Sequence, residues 1–257
     1  MRKLSCLLVL FLIANSTFCQ PVFSGKPVVE PAKILKDDMG FLYYNRDYLR
    51  TSQELKAYNT KGQAISKAEF FSAFASGNYL PVRLMPNSDN RYKLYKLGSK
   101  VSEGVRSTIK QYGTTAYNHF KMEGKKFPGL NYKDVDGRVY NSQNTKGKIV
   151  VIKCWFLHCQ ACNEEIPQLN TFVDQYKNRG DIVFVSLAFD AENKLKVFKK
   201  THEFKYALAH VPESYIEKQL GTTEYPTHYI VNKQGLIAKV VNEAGELEVA
   251  LRTEASK

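Results

Sequence analysis

Three cysteines lie within nine positions of one stretch of the sequence, IVVIKCWFLHCQACNEEIPQLN: Cys154, Cys159 and Cys162. In Cys159-Gln-Ala-Cys162 the spacing puts both sulfurs on one helical turn, where they can bond to each other. The apolar run that ends at Trp155 predicts a buried strand, and apolar residues at helical spacing from Ile166 predict a helix soon after it. Cys159 is therefore expected at a helix N-terminus, where unpaired N–H groups and the helix dipole favour a thiolate.

Two other interpretations of the cysteine pair are weaker. A closed zinc site needs four ligands, and His202, His210 and His228 show no paired spacing that would supply them. A disulfide for stability alone gains little, because so short a loop removes little chain entropy. We therefore predict thiol–disulfide exchange, which needs a nucleophilic thiolate and a second thiol, with no metal and no cofactor. Cys154 fits a small buried hydrophobic residue of the strand.

Residues 1–19 have the pattern of a secretory signal peptide. Arg2 and Lys3 precede a short apolar run, and cleavage after Cys19 fits the small residues Thr17 and Cys19 before the cut. A lipid anchor on Cys19 is the alternative, which bulky Phe18 disfavours. No later segment reaches the length needed to cross a bilayer. We therefore expect an exported protein of the bacterial periplasm or cell envelope, without a transmembrane segment after cleavage.

Net charge and cysteine count limit the function further. The chain has 37 Lys and Arg against 25 Asp and Glu, and removing Arg2 and Lys3 leaves 35 against 25, a charge of +10. The lysines are scattered without a dense run, so nucleic-acid binding is not expected. The cleaved chain would keep an odd, local set of three cysteines, which argues for chemistry more than for structural cross-links.

Residues 20–106 form a first predicted region, a small α+β unit without a recognisable constellation of catalytic residues. Its Pro-rich start, residues 20–36, is expected to be a mobile lead-in. The stretch ELKAYNTKGQAIS predicts a strand, a turn and a short return strand. Ser66 and Glu69 predict a capping box for a helix that Gly77 ends. The stretches YLPVRLMP and RYKLYKL predict two further strands.

Residues 117–257 form the second predicted region, in which strands and helices alternate before a hairpin and a closing helix. This order predicts a mixed α/β layer. Asp190 is expected to cap a helix, and Ser214 and Glu217 are expected to form a second capping box on a helix that Gly221 ends.

The stretch KGKIVVIKCWFLHCQACNEEIPQLN resembles the thioredoxin-like superfamily and, within it, the exported thiol–disulfide oxidoreductases of the TlpA/ResA type. Trp155 lies four positions before the first active-site cysteine, and Pro167 lies five after the second. TTEYPTHYIVNKQG is similar to the family's cis-proline loop and hairpin, which puts a cis bond before Pro226. The resemblance covers residues 124–250 and implies a thioredoxin-like fold, a central mixed sheet flanked by helices.

The resemblance also implies roles. Cys159 and Cys162 would form a redox-active disulfide, Cys159 attacking the substrate and Cys162 resolving the mixed disulfide. Trp155 would wall the site, and Tyr225 and Pro226 would present backbone to the substrate. Protein disulfides would be the substrates, reduction the direction, and a membrane-bound electron donor the partner.

Two departures from the family pattern concern the active site. His158 stands where the family commonly has Trp, and it is either a supporting residue or only a surface residue at the helix start. Lys153 stands where thioredoxins have a buried acid. Its ammonium either reaches water and pairs with Glu164 or Glu165, or handles the proton of Cys162.

Two rival functions remain open. A peroxiredoxin-like peroxide reductase would want a Thr shortly before its cysteine, whereas this chain has Trp155-Phe-Leu-His158. A binding module for redox assembly or copper delivery is the other rival, and the CxxC spacing counts against copper because copper-delivery relatives have a wider one.

Overall fold

A computed structural model describes residues 23–129 and 131–257. The predicted signal peptide, residues 1–19, lies outside the described residues. The first part of the chain contains α1 (Pro31–Ile34), α2 (Asp38–Tyr48), β1 (Lys56–Tyr58), β2 (Ala64–Ile65), α3 (Lys67–Ala75), β3 (Tyr79–Arg83), β4 (Arg91–Lys96) and α4 (Glu103–Met122). The second part contains β5 (Asn131–Lys133), β6 (Val139–Asn141), β7 (Ile149–Trp155), α5 (Gln160–Glu164), α6 (Ile166–Gln175), β8 (Ile182–Ala188), α7 (Glu192–Thr201), β9 (Ala207–His210), a π-helical turn (Tyr215–Gln219), β10 (Thr227–Val231), β11 (Ile237–Val241) and α8 (Ala244–Ala255).

The first region is a four-stranded sheet in the order β2-β1-β4-β3, with its own apolar core. The predicted strand–turn–strand unit is present, and Gly62 takes the positive φ of 84° that its turn requires. The capping box of Ser66 and Glu69 starts α3, and Gly77 follows its end with φ 71°. Side chains of α3 at helical spacing, among them Phe70 and Phe74, are buried in the core.

The predicted mobile lead-in is wrong for the residues from Phe23 onward. The Phe23 ring stacks on Tyr58 with centroids 4.8 Å apart, and the Val28 N–H donates to the Arg83 carbonyl at 2.9 Å. Ile34 is buried in the core, on a short helix whose first residue is Pro31. Proline suits the first turn of a helix, so a Pro-rich stretch does not by itself indicate disorder.

Helix α4 crosses the boundary that the sequence suggested between residues 106 and 117. Ser102 caps it by accepting from the Val105 N–H at 3.3 Å, and the helix packs on both α3 and β11. Gly113 permits α4 to approach α3 closely, because a Cβ at this position would lie 2.4 Å from the carbonyl oxygen of Phe74 on α3. The two regions therefore share one helix.

The second region is built on a five-stranded sheet in the order β11-β10-β7-β8-β9. Strands β7, β8 and β9 are parallel, while β10 is antiparallel to both β7 and β11. Alternate residues of β7 face different apolar clusters, with Trp155 on the side of α6, α7 and α8 and Cys154 on the opposite side. The sheet is mixed and flanked by helices, as predicted.

The two helix caps predicted in this region are wrong. Ala191 begins α7 without a side-chain cap, and the Asp190 carboxylate instead accepts from the Leu157 N–H at 2.8 Å. Ser214 makes no capping bond either, because its backbone is already helical and a π-helical turn follows it. Gly221 ends that turn with φ 69°, as predicted.

Across the described residues, none of the helices is both long enough and apolar enough to span a membrane.

Candidate active site

Cys159 and Cys162 form a disulfide at the start of α5, directly after β7. Cys159 is the N-cap of α5, and the Cys162 N–H donates to the Cys159 sulfur at 3.2 Å. The two Cα atoms are 5.2 Å apart. Cys159 keeps 8% of its surface exposed, whereas Cys162 has 0%. The helix start favours a thiolate at Cys159, and the deeper position of Cys162 shields it from solvent.

Hydrogen bonds from two neighbouring residues hold the loop between β7 and α5. Asp190, from the end of β8, receives the Leu157 N–H at 2.8 Å. Asn163 donates its side-chain amide to the carbonyls of Leu157 and Cys159 at 2.8 and 3.0 Å. His158 lies exposed on this loop beside Cys159. Asp190 and Asn163 were not among the predicted site residues, because only the folded loop brings them to it.

The cis-proline loop forms the other side of the site. The Tyr225–Pro226 bond is cis. Asn242, after β11, donates to the Pro226 carbonyl at 2.8 Å and to Thr227 Oγ1 at 2.9 Å. The Tyr225 ring packs edge-on against Phe156, with centroids 5.4 Å apart. Burial raises the pKa of Tyr225 to about 12, and its hydroxyl has no hydrogen-bond partner among the residues that the structure describes.

Lys153 lies under the disulfide with 0% of its side chain exposed. The expectation that its ammonium reaches water is therefore wrong, but the expected pairing with Glu165 is present. Its Nζ donates to the Cys162 carbonyl at 2.9 Å and forms an ion pair with the Glu165 carboxylate. Glu164 instead accepts from Gln160 at 2.7 Å on the surface. Burial lowers the pKa of Lys153, and Glu165 opposes this shift by stabilising the charged ammonium.

His228 joins this buried pair from the neighbouring strand. It stands directly opposite Lys153 in the β7–β10 register, and its Nε2 lies 3.0 Å from Glu165 Oε1. The Nε2 atom is close enough to the carboxylate for a direct contact, although the contact departs from ideal hydrogen-bond geometry, and Nδ1 has no partner among the described residues. Burial lowers the pKa of His228, against the effect of Glu165. Burial alone would raise the pKa of Glu165, but His228 and Lys153 outweigh it and hold this pKa below its usual value.

His228 was not among the predicted site residues. The available signal was the strand THYIV, in which a histidine sits among residues expected to be buried. Its significance depends on the register of β10 against β7, which the sequence alone does not give.

Trp155 is fully buried behind the disulfide. Its ring contacts Phe198 and Phe204, with centroids 5.1 and 5.5 Å away, and its Nε1 has no hydrogen-bond partner in the described part of the chain. It belongs to the same apolar cluster as both disulfide cysteines. Cys154 faces the other side of the sheet, where burial raises its pKa to about 12. A thiol so hard to ionise is a poor nucleophile, so the chemistry rests with the other two cysteines.

A helix-start CxxC disulfide beside a cis-proline loop, on a mixed sheet covered by helices, defines the class of thioredoxin-like thiol–disulfide oxidoreductases.

Comparison with known proteins agrees with this class. The AhpC/TSA family model matches residues 123–240. The chain is 30% identical over 124 residues to thiol-disulfide oxidoreductase ResA of Bacillus thuringiensis subsp. konkukian, covering 48% of this chain and 70% of that protein. It is 25% identical over 121 residues to the thioredoxin-like protein YneN of Bacillus subtilis, covering 46% of this chain and 71% of that protein. A solved thiol:disulfide interchange protein of Chlorobium tepidum is 20% identical, with a TM-score of 0.45 over 51% of this chain and 96% of its own.

The chain belongs to the ResA-type thiol–disulfide oxidoreductases of the thioredoxin-like superfamily. It is an enzyme of thiol–disulfide exchange.

Proposed function

We propose that this protein is an exported reductase of protein disulfides. The observation that carries the proposal is the unequal placement of the two active-site cysteines. Cys159 caps α5 and keeps some exposure, while Cys162 is fully buried and contacts Lys153 through its carbonyl. An outer nucleophile and an inner resolving thiol are what a dithiol needs to reduce a disulfide in two steps.

In the proposed reaction, the Cys159 thiolate attacks one sulfur of a substrate disulfide and forms a mixed disulfide. The substrate's other sulfur leaves as a thiolate and takes up a proton. Cys162 then loses its proton and attacks the Cys159 sulfur. This step releases the second substrate thiol and restores the Cys159–Cys162 disulfide, so two electrons pass from the enzyme to the substrate. In this reaction the cis-proline loop offers the backbone of Tyr225 to the substrate chain. Trp155 forms a wall of the site, and His158 lies at its entrance.

A second reductant must then regenerate the dithiol. In an oxidising compartment this calls for an electron donor fed from inside the cell, and we propose a membrane-bound protein in that role. The proposal includes export to the periplasm or cell envelope, which rests on the signal-like sequence of residues 1–19.

We also propose a division of the exported chain into an α+β region, residues 20–106, and a thioredoxin-like domain, residues 117–257. Separate apolar cores in the two parts support this division. Helix α4 joins them and packs on both.

Trapping the mixed disulfide tests the assignment of the cysteines. Cys162→Ser should accumulate a covalent complex with a disulfide-containing protein, and Cys159→Ser should not. Cys154→Ala is the matched control, because its thiol is buried on the opposite side of the sheet. Accumulation with Cys159→Ser instead would reverse the two roles.

The reduction potential of the Cys159–Cys162 pair tests the direction. A value near that of thioredoxin, about −270 mV, supports a reductase, and one near about −120 mV makes the protein an oxidant.

A peroxide reductase is the second candidate, because the AhpC/TSA family model matches residues 123–240. Consumption of hydrogen peroxide by the reduced protein distinguishes the two candidates. It should be slow relative to exchange with a protein disulfide, and dependence on Cys159 alone would favour the peroxidase.

A further inference from the structure

The side chains of Lys153 and His228 both contact the same carboxylate oxygen of Glu165. Its Oε1 is paired with Lys153 Nζ and lies 3.0 Å from His228 Nε2. Both partners are fully buried, and the Glu165 side chain is only 11% exposed. Lys153 and His228 are cross-strand neighbours on β7 and β10, so the sheet itself brings the two nitrogens together.

The position of Glu165 in the chain explains why its carboxylate is available there. Glu165 lies at the junction of α5 and α6 and makes no side-chain capping bond to α6. A carboxylate at a helix start ordinarily serves the free N–H groups of that helix. This one is directed into the protein instead, toward the two strand residues.

The surroundings leave few other groups to satisfy the carboxylate. The titratable groups that face it are Lys153 from β7, His228 from β10 and the buried Tyr206 ahead of β9, whose hydroxyl has no hydrogen-bond partner. Helix α8 contributes apolar side chains such as Leu247 to the same cluster. The imidazole tautomer with its proton on Nε2 is the one compatible with a carboxylate oxygen 3.0 Å away.

We propose that His228 is a positioning residue for thiol–disulfide exchange, and that with Lys153 it keeps Glu165 ionised beneath the turn that carries Cys162. This inference rests on the proposed function for its catalytic meaning, but the ionisation of Glu165 stands independently of it.

The ionised carboxylate matters because it holds Lys153 in place. Lys153 Nζ is bonded at once to Glu165 and to the Cys162 carbonyl, so the ion pair ties the turn of α5 to β7. When Glu165 takes up a proton, the buried ammonium loses its counter-charge and the tie weakens. Cys162 then attacks the mixed disulfide from a less fixed position, and resolution slows.

The first test measures the protonation of the Glu165 carboxyl group directly. Its proton uptake is followed by carbon-13 NMR or infrared difference titration in the oxidised full-length chain. In His228→Phe, which keeps a ring but removes the nitrogens, the midpoint should rise by roughly one pH unit, about tenfold in proton affinity. His228→Gln restores a donor and should recover part of this shift. His202→Phe, an exposed histidine of the same chemistry, should leave the midpoint unchanged.

The second test reads the reaction. The rate at which Cys162 resolves a preformed mixed disulfide is measured against pH in the same variants. In His228→Phe the acid limb of this profile should move to higher pH together with the Glu165 midpoint. In His228→Gln it should move by a smaller amount. A profile that changes only in height, with the same midpoint in all variants, assigns His228 to packing alone.

The two tests separate the inference from the function it builds on. An unchanged Glu165 midpoint in both His228 variants overturns the inference. A shifted midpoint in a protein that exchanges no disulfide leaves the electrostatic role intact and rejects the proposed function. Should His228→Phe fail to fold, His228→Leu, which also removes both ring nitrogens, carries the titration, and a midpoint equal to that of the unsubstituted protein overturns the inference.

Discussion

Buried tyrosine hydroxyls are bonded differently in the first region and on the disulfide side of the thioredoxin-like region. In the first region, Tyr44 donates to the Pro81 carbonyl at 2.9 Å and accepts from the Arg83 N–H at 2.6 Å. Tyr92 likewise donates to the Tyr48 carbonyl and accepts from a backbone N–H. On the disulfide side of the thioredoxin-like region, the buried hydroxyls of Tyr206 and Tyr225 have no hydrogen-bond partner within residues 23–129 and 131–257.

Burial raises the pKa of all four tyrosines. Tyr225 is only partly buried, so Tyr206 gives the cleaner contrast with Tyr44 and Tyr92, which are buried to the same degree. Around the disulfide, Trp155 Nε1 and His228 Nδ1 also have no partner among the described residues. On the far face of the same sheet, Tyr229 is fully bonded, to Thr222 and to the Leu220 carbonyl. Unpaired polar groups are costly, and in native proteins they concentrate at functional sites. The first region uses these two tyrosine hydroxyls as cross-links, whereas the tyrosine hydroxyls beside the site make no hydrogen bond to the described residues.

The largest expected effect is on the buried ion pair. Lys153→Met removes the charge that compensates Glu165 and should lower the free energy of unfolding at neutral pH by about 3–5 kcal/mol, measured by urea denaturation. The double variant with Glu165→Gln should recover most of the loss, since replacing both charges is far less costly than leaving one. A loss below about 1 kcal/mol in the single variant would show that this pair contributes no more to stability than a solvent-exposed salt bridge.

The next effect contrasts the two kinds of tyrosine. Tyr44→Phe leaves a buried carbonyl and a buried N–H without partners and should cost about 1–3 kcal/mol of unfolding free energy. Tyr206→Phe is the matched control, because it removes a hydroxyl that bonds nothing and should be neutral or slightly stabilising. Equal losses in the two variants, measured by denaturant unfolding, would abolish the contrast between the regions.

A smaller effect concerns the contact between the regions at the cis-proline loop. Thr115 on α4 donates to the Glu224 carboxylate at 2.9 Å, two residues before Pro226. Thr115→Val should cost about 1 kcal/mol and lower kcat/KM for a disulfide substrate by a few-fold. Thr114→Val, at an exposed position on the same helix, serves as the control. If both variants keep full activity, α4 has no influence on the loop.

The smallest effect is one of pH dependence. Glu246 accepts from Ser52 at 2.8 Å across the two regions, and burial raises its pKa. A carboxyl with a raised pKa in the folded state binds its proton more tightly there, so stability falls as pH rises from about 4.3, the unfolded value, through the folded value. Glu246 remains partly exposed, which limits the size of this effect. Glu246→Gln should flatten this part of the stability curve. Glu165 has the opposite sign, because its lowered pKa makes stability fall as pH decreases.

The sequence predicted most of the thioredoxin-like region, because its strands are apolar runs and its cysteines lie at a helix start. The capping box of α3 was also predicted, because Ser66 and Glu69 lie only three positions apart in the sequence. Helices α2 and α4 were missed, although Asp37 and Ser102 cap them. Apolar periodicity is weak in α2, but α4 has Val105, Ile109 and Gly113 buried at helical spacing, so the signal for α4 was present in the sequence.

The missed site residues have a common cause. His228, Asn242 and Asp190 reach the site through strand register or loop closure, across separations that a local pattern does not encode. Lys153 was selected because it interrupts an apolar strand, and its burial was misjudged because its partner Glu165 lies on another element.

Helix α4 is a continuous element that packs on both parts of this protein. Its 20 residues rise about 30 Å as one rod, and each residue turns the rod by about 100°. Adding or deleting a single residue in α4 would rotate one part around the other and separate Thr115 from Glu224. A fragment starting at residue 117 would keep six residues of the helix and lose Gly113, the point of closest approach to α3. A recombination point that keeps both parts intact therefore has to lie outside residues 103–122.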